Sequence, residues 1–551
     1  MSKLKKKVTK SEVTKKKISF VSAIFLVIGS SIGAGIFLKN GEVLGNVGYS
    51  WILALLSWVL SIFGVICMGV SLAEIASATT NSNLGIISWV KNFCHKYLYK
   101  VSKYFMAFLY LPLNFFLMPY YVVIQFQDAF GWQTQWWISG LIALGISGWF
   151  FLASGLSSKL GNIQNWVVTA VKFIPLAFCV VAGITLAALG HSNIPPLDPI
   201  TPSSSDHVRL AQMFPALGII GSIPAIIFSY DGFYSAAGIQ SEMEEPKKTP
   251  AALVVGLVIV SIINLLIAVS LLFGTSGDVH NLGRVNALAW FNEHGYHWVI
   301  GVVQILIAIG ILGIINGFAI YNPLYYQDLI MENGLPFADK LKGKIKTQKH
   351  NWVGLIYAGV ITVVFFIVFT LIGALAYPDT IGYGTTTMVN MSNAIVGSGY
   401  DSTSSGACNG LYSFCDLMAN WTSIIAFLCV VFATVGAMKN RKTNKVQVRK
   451  AKGFWACSII STIVISVACL FIVVAAIADV AIVAGWHKDI GEGYSQSDWN
   501  KDILGAIMTL VMLFVFVAVC CIPSSIEMHK EKKAFLANKL AKKSRAKVVS
   551  K

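Results

Sequence analysis

Long, uninterrupted apolar runs are the feature that most constrains how this chain folds. Apolar residues make up 56% of the 551 residues and gather into twelve segments, most of them long enough for the ~20 residues that a helix needs to cross a bilayer. Charged residues make up only 12%, against roughly 25% in soluble domains. A soluble fold is therefore a poor fit, and the pattern predicts an all-α integral membrane protein. The segments are Ile18–Leu38, Gly48–Ser77, Tyr104–Phe126, Trp136–Ala153, Leu160–Leu189, Leu210–Gln240, Ala251–Gly274, Trp298–Tyr326, Trp352–Tyr377, Leu417–Met438, Phe454–Ala484 and Ile503–Ile522.

The basic residues are distributed unevenly along the chain. Of its 42 Lys and Arg residues, 36 fall at the two ends and in alternate loops, and Lys172 falls within a span. The other five are expected in the intervening outer loops: Lys39, Arg209, Arg284, Lys488 and Lys501. Basic residues accumulate on the cytoplasmic side of membrane proteins, so about 12 spans with both termini in the cytoplasm account for this bias. The net charge of +17 comes from basic residues that would orient the protein in the membrane and attract anionic lipids. We expect a multi-pass protein of the cell membrane. The lipid bilayer is its expected partner, and binding to nucleic acid is not expected.

The ten cysteines carry no metal-ligand spacing. Six of them lie inside apolar runs, where a thiol packs as a small hydrophobic group. Cys408 and Cys415 lie in the stretch Pro378–Asp416, which is rich in Gly, Ser, Thr and Asn and is expected to be an extracellular insertion. Whether these two form a disulfide stays open. The sequence predicts no metal site and no cofactor.

The first apolar segment is interrupted by three glycines within seven residues. The run comprises Gly29, Ser30, Ser31, Ile32, Gly33, Ala34 and Gly35. Each glycine lowers helix stability by about 1 kcal/mol relative to alanine, and backbone groups freed in lipid need partners from protein, water or ligand. One interpretation is a broken helix whose N–H groups and positive dipole end bind a carboxylate. The other is close packing of helices through small residues.

A second interruption lies in the sixth segment, about 200 residues downstream. It comprises Phe228, Ser229, Tyr230, Asp231, Gly232, Phe233 and Tyr234. Paired interruptions at corresponding positions of two halves indicate the substrate site of a transporter. The pair therefore favours a binding site over simple packing.

Four runs of sequence resemble the amino acid-polyamine-organocation (APC) permeases. They are Ile28–Phe37, Phe228–Phe233 followed by Glu242–Pro250, Asn316–Pro336 and, less specifically, Leu72–Ile75. The matches cover about the first ten segments in the order that the family has. The resemblance implies a leucine-transporter-type fold, in which a five-plus-five inverted repeat is followed by two C-terminal helices.

The resemblance also divides the chain into parts. The parts are a cytoplasmic basic N-terminus (1–17), a first five-helix repeat (18–189), a second five-helix repeat (210–438, with the insertion 378–416), two extra transmembrane helices (454–522) and a cytoplasmic basic tail (523–551).

Roles for individual residues follow from the same resemblance. The backbone N–H groups around Gly33, Ala34 and Gly35 are expected to bind a substrate carboxylate. The carbonyl groups near Ser31 and in 228–231 are expected to bind its ammonium. Phe228 would cover the bound substrate, and Phe318 matches an aromatic residue near the outer gate. For both aromatic residues, packing is the alternative.

Two charged residues lie within spans. Lys172 is roughly twelve residues from the nearer end of its span, which is ~18 Å of helix, and an ionisable residue at that depth is a functional candidate. In the resemblance it matches a lysine whose ammonium stands where sodium-coupled relatives bind sodium, which argues against sodium coupling. Proton exchange during transport and a permanently charged structural role stay open for Lys172. Asp231 either attracts a substrate ammonium or caps backbone N–H groups.

These features together indicate a secondary active transporter that moves amino acids by alternating access and does not depend on sodium. An amino acid or amine exchanger without proton coupling is the alternative, and protons are a candidate coupling partner. No G-x-x-x-x-G-K-[ST] loop is present, so no ATP-driven pump and no obligatory ATPase subunit are expected. The sequence shows neither a catalytic nucleophile with its general base nor a cluster of metal ligands at meaningful spacing. No enzyme is therefore expected.

Overall fold

The computed structural model of the chain describes residues 19–32, 35–78, 84–130, 134–191, 198–199, 207–234, 243–273, 290–291, 294–345, 351–378, 402–491 and 494–549. Most of these residues form helices, and an isolated β-bridge pairs Ile490 with Tyr494. The predicted all-α class is confirmed.

Sixteen α-helices run through the described residues. They are α1 (Phe20–Ser31), α2 (Gly35–Asn46), α3 (Trp51–Ala76), α4 (Ile86–Phe93), α5 (Lys96–Phe105), α6 (Leu111–Phe130), α7 (Trp136–Leu156), α8 (Ser158–Ala188), α9 (Pro215–Phe228), α10 (Thr249–Phe273), α11 (His297–Met331), α12 (Ala338–Lys342), α13 (Trp352–Leu371), α14 (Ser402–Thr443), α15 (Phe454–Gly485) and α16 (Gln496–Val549). Two π-helical turns, Met106–Tyr110 and Ile372–Ala376, continue α5 into α6 and extend α13.

Ten helices among the described residues are long and apolar enough to cross a membrane. The two remaining predicted segments, the first and the sixth, contain shorter apolar helices, 20–29 within α1 and α9 itself. Both of these segments carry a predicted interruption. Breaks of this kind shorten the regular helix without removing the apolar run that the sequence shows.

Small residues allow the helices around α11 to approach closely. A side chain at Gly313 of α11 would collide with Val168 of α8, and one at Gly354 of α13 would collide with the backbone at Pro323 of α11. Contacts of this kind are how membrane helices associate, since lipid provides no hydrophobic driving force between them. The result is that α8, α11 and α13 form one packed layer beside the two interrupted segments.

The stretch 378–416 differs from the prediction. Helix α14 begins at Ser402, so the last part of the expected insertion is helical, while 379–401 lies outside the described residues. Cys415 falls in the same helix, while the side chain of Cys408 lies outside the described residues. Cys415 is buried and free.

The C-terminal boundary also differs from the prediction. No break separates the last span from the basic tail, because α16 continues as one helix to Val549. Its part beyond the span is tied to the start of the third span: Lys103 Nζ lies 2.8 Å from Glu527 Oε2, and Lys100 Nζ lies 2.8 Å from Glu531 Oε1. The N-terminal basic segment 1–17 lies outside the described residues.

A second buried ion pair joins α3 to α14. Arg441 donates Nε to Oε1 of Glu74 at 2.7 Å and Nη2 to Oε2 at 2.6 Å, and the Glu74 side chain is 1% exposed. Ala451 N–H donates to the same carboxylate at 2.8 Å. A forked pair with an added backbone bond is geometrically specific, so it fixes where α14 ends against α3.

We expect Glu74→Ala to destabilise the protein by about 3 kcal/mol, because it leaves the Arg441 guanidinium without its buried partner. Lys91 and Glu332 form the matched exposed pair, with side chains 46% and 38% exposed. Lys91→Ala should change the unfolding free energy by less than about 1 kcal/mol. The free energy of unfolding of both purified variants is measured in the same detergent. Equal losses of unfolding free energy in the two variants would contradict the stabilising role of the Glu74–Arg441 pair.

Candidate functional site

The first predicted interruption is a real break in the helix. α1 ends at Ser31, Ile32 has an extended backbone with ψ 116°, and α2 begins at Gly35. Gly33 and Ala34 lie outside the described residues, as does the side chain of Ser30, which belongs to α1. A helix that begins at Gly35 has N-terminal N–H groups without partners in the helix, and these groups attract anions.

The second predicted interruption is a break as well. α9 ends at Phe228, and Ser229, Tyr230 and Asp231 form a turn in which Asp231 N–H donates to Phe228 O at 3.1 Å. Gly232 has a φ of +92°, a conformation that favours glycine. Tyr230 is fully buried. The chain thus leaves the helix at this point and turns within the interior of the protein.

The two breaks lie against each other. A Cβ atom placed on Gly35 would lie 2.9 Å from Ser229 Cα and 3.1 Å from Phe228 Cδ1, so glycine is what allows this approach. The hydroxyl oxygens of Ser31 and Ser229 are buried next to the breaks and have no hydrogen-bond partner among the described residues. Buried polar groups without partners are rare and indicate a place that a ligand can fill.

Lys172 holds the end of α1. Its Nζ donates to Gly29 O at 2.6 Å and to Ile32 O at 2.9 Å, and the residue is 3% exposed. A cation at a helix C-terminus is favoured by the helix dipole. Helix α8 packs closely against α11 at this point, because a Cβ placed on Gly310 of α11 would lie 3.3 Å from Lys172 Cβ. The lysine is therefore fixed in place by packing and by the exposed carbonyl groups of the break.

Asp231 is bonded within the second break. Its Oδ1 accepts from Gly232 N–H at 2.9 Å, from Tyr110 OH at 3.0 Å and from Tyr234 OH. The hydroxyl oxygens of Tyr234 and Tyr110 lie 2.8 Å apart. The carboxylate thus accepts a backbone N–H of the break and connects α9 to the π-helical turn of the third span, while the two predicted roles of Asp231 stay predictions.

Phe318 lies beside this tyrosine pair. Its ring meets the ring of Tyr110 edge-on with centroids 5.8 Å apart. Tyr110 is in the turn that follows Lys103, at the basic end of its span. The contact places Phe318 towards the basic ends of these helices and does not support the expected outer-gate position, which stays a prediction.

A buried ion cluster on the other side of the breaks escaped the sequence analysis. Lys39 Nζ lies 2.6 Å from Asp416 Oδ1 and 3.1 Å from Glu42 Oε2, and its side chain is 0% exposed. We call these three residues the Lys39 cluster. The Lys39 ammonium also lies 5.6 Å from the centre of the ring of Phe228, the last residue of α9.

The pattern that defines amino acid permeases matches residues 18–488 of this chain. The chain belongs to the amino acid permease family. The proteins of this family, and the named transporters that resemble this chain, carry solutes and are not enzymes. Within the described residues, no group of three or more His, Cys, Asp or Glu side chains is arranged to hold a metal ion.

Individual relatives of this permease come from bacteria and animals. An uncharacterized protein of Mycoplasma pneumoniae is 37% identical over 564 residues, which cover 95% of this chain and 96% of that protein. The serine/threonine exchanger SteT of Bacillus subtilis is 27% identical over 353 residues, 63% of this chain and 75% of the exchanger. The b(0,+)-type amino acid transporter 1 of Homo sapiens is 22% identical over 332 residues, 56% of this chain and 61% of the transporter.

Lys39 corrects one assignment made from the sequence of this permease. The charge count places Lys39 in an outer loop, whereas the structure places it inside α2. The available signal was the spacing of Lys39 and Glu42, which are three residues apart and therefore on one face of a helix. Asp416 gave no such signal, because its partner is 377 positions away in sequence.

We expect Gly35→Ala to abolish substrate binding at the breaks, because the added methyl group would push α2 away from Ser229. Gly45→Ala is the matched control on the same helix, since a Cβ there has nothing within 4 Å. Uptake of radiolabelled amino acids by proteoliposomes of equal protein content measures both variants. Normal uptake by Gly35→Ala would show that the close approach is not required.

Proposed function

We propose that this permease is a secondary active transporter that carries amino acids across the plasma membrane by alternating access, without sodium. The observation that carries the proposal is the contact between two broken helices, one of which is capped by a buried lysine. A carrier needs a site inside the bilayer that offers both donors and acceptors, and broken helices provide them without bringing additional charges into lipid. The family membership supports amino acids as the substrate class.

The geometry supports a mode of substrate binding. The N–H groups at the start of α2 would bind the carboxylate, as the sequence predicts for the residues around Gly35. The hydroxyl groups of Ser31 and Ser229 would add hydrogen bonds from the two breaks. Because Gly35 and Ser229 are so close, we propose a substrate with a small side chain, and the similarity to a serine/threonine exchanger supports this choice.

Two sets of contacts would act as gates. On one side of the breaks, the Lys39 cluster joins α2 to α14 and lies over Phe228. On the other side, Tyr110 joins the second break to the third span and packs on Phe318. In the proposed cycle these contacts break alternately as the two five-helix repeats rock against each other. With both termini in the cytoplasm, the Lys39 cluster would face the outside.

Lys172 supports independence from sodium. Its ammonium already uses carbonyl groups of the first break, Gly29 O and Ile32 O, that would otherwise be ligands for a cation. Broken-helix carbonyls of this kind coordinate sodium in coupled transporters. A fixed positive charge would take the place of the ion, and no ATPase subunit would be needed.

Exchange of one amino acid for another is the second candidate. It is favoured by the relative whose name describes a serine/threonine exchanger. In an exchanger the empty carrier does not reorient readily, so uptake requires an amino acid on the opposite side. Symport with protons would instead respond to a pH gradient alone.

The test is uptake of serine and threonine into proteoliposomes, measured with and without sodium, with and without an inward proton gradient, and with and without amino acid preloaded inside. We expect equal uptake with and without sodium. Stimulation by the proton gradient would indicate symport, whereas dependence on preloaded amino acid would indicate exchange. Uptake that requires sodium would contradict the proposed role of Lys172.

Lys172→Ala should reduce uptake at least about tenfold, because it removes the cap from α1 and leaves buried carbonyl groups without a partner. Lys172→Arg keeps the charge but not the fit beside Gly310, so it should retain only part of the activity. Thermal unfolding of each variant is measured alongside uptake. Lys172→Ala protein with normal uptake would make the lysine dispensable for transport.

A further inference from the structure

A second cavity lies outside the two breaks. Its volume is about 90 Å³, which is room for several water-sized groups, and it is partly open to solvent. Helices α2, α9, α14, α15 and α16 form its walls. We call it the lateral cavity, and its polar lining consists mainly of Glu42, Arg209, Asp416, Asn420, Trp421 and Asp479.

The remaining lining is largely apolar. Phe471, Ile472, Ala475 and Ala476 of α15 face Pro224 of α9 across the cavity. Walls of this kind bind the hydrocarbon part of a ligand, while a few convergent polar groups fix its orientation. The lateral cavity is therefore lined by apolar residues of α15 together with polar groups on α2, on α14 and at Asp479 of α15.

The charges around the lateral cavity do not balance. Lys39 alone serves both Glu42 and Asp416. Arg209 pairs with Asp502 at 3.6 Å, while Asp479 accepts a hydrogen bond from Leu210 N–H at 2.9 Å. Among the described residues that line the cavity, Glu42, Asp416 and Asp479 carry carboxyl groups, and Arg209 carries a positive charge. An excess of carboxyl groups in a partly dry cavity attracts a cation.

A polar atom without a partner points to a ligand independently of the charges. Asn420 is 8% exposed and donates Nδ2 to Glu42 Oε1 at 2.9 Å, but its Oδ1 has no hydrogen-bond partner among the described residues. This acceptor lines the cavity next to the carboxylate that it supports. The indole Nε1 of Trp421, which also lines the cavity, is buried without a partner as well.

We propose that the lateral cavity is a second binding site, separate from the transport site, for an ammonium group carried on a short apolar chain. The ammonium donates to Asn420 Oδ1 and lies beside the carboxylate of Glu42, and the chain packs on α15 near Ala475. Two kinds of solute carry this group, a simple alkylamine and an amino acid. An amino acid would in addition present a carboxylate to the Trp421 N–H.

A ligand here would act on the Lys39 cluster. Its ammonium would compete with Lys39 for Glu42 and weaken the contact that joins α2 to α14. The occupied cavity would then favour opening on the side of this cluster. The effect needs no contact between the ligand and the residues of the two breaks.

The binding test uses the full-length protein in nanodiscs and n-pentylammonium as the probe. Pentan-1-ol and pentanoate have the same chain without the positive charge, and norleucine has the ammonium together with a carboxylate. The variants are Ala475→Phe, which fills the cavity, and Asp479→Asn, which removes one negative charge while keeping an acceptor for Leu210 N–H. Ala478→Phe is the matched control, on the same helix but outside the cavity lining.

We expect saturable binding of n-pentylammonium that is at least about tenfold weaker in Ala475→Phe and in Asp479→Asn, and unchanged in Ala478→Phe. Norleucine binding with the same pattern would identify amino acids as the source of the ammonium, and its absence would identify simple amines. Equal binding of pentan-1-ol or pentanoate would overturn the proposal. Amine binding that persists in Ala475→Phe but is lost in Gly35→Ala would place the ligand at the breaks and overturn it too.

Discussion

The structure depends on how two interrupted helices satisfy their backbone groups inside a bilayer. At the first break, the ammonium of Lys172 takes the carbonyl groups of Gly29 and Ile32. At the second break, Asp231 accepts from Gly232 N–H and is held by two tyrosine hydroxyls. Unsatisfied groups at this depth are expensive, so each break needs such a partner. Among the residues that the structure describes, the hydroxyls of Ser31 and Ser229 have no hydrogen-bond partner, and we propose that the substrate binds there.

These partners come from both halves of the chain, which links the site to distant parts of the fold. Tyr110 connects Asp231 to a span whose first residues are tied to α16 through Lys103 and Glu527. On the other side, Lys39 follows the first break by one helical turn and connects to α14. A movement at the breaks would therefore reach both faces of the protein. This is the coupling that alternating access requires.

Sequence reasoning predicted the breaks because glycine runs and apolar segments are local features. The ends of α1 and α9, at Ser31 and Phe228, lie inside the predicted runs. Contacts between distant residues could not be predicted in this way. Lys39 was assigned to a loop because the sequence cannot show Asp416 facing it, and the helical start of α14 at Ser402 was hidden by a polar composition typical of loops.

The most direct test of this account is a cryo-electron microscopy map of the full chain in nanodiscs, saturated with an amino acid that it transports. We predict density for one substrate molecule between Gly35 and Ser229, with its carboxylate at the start of α2 and the Lys172 ammonium still on the carbonyl groups of α1. A map in which the substrate is bound away from the two breaks, with these groups in contact only with protein, would contradict the central claim.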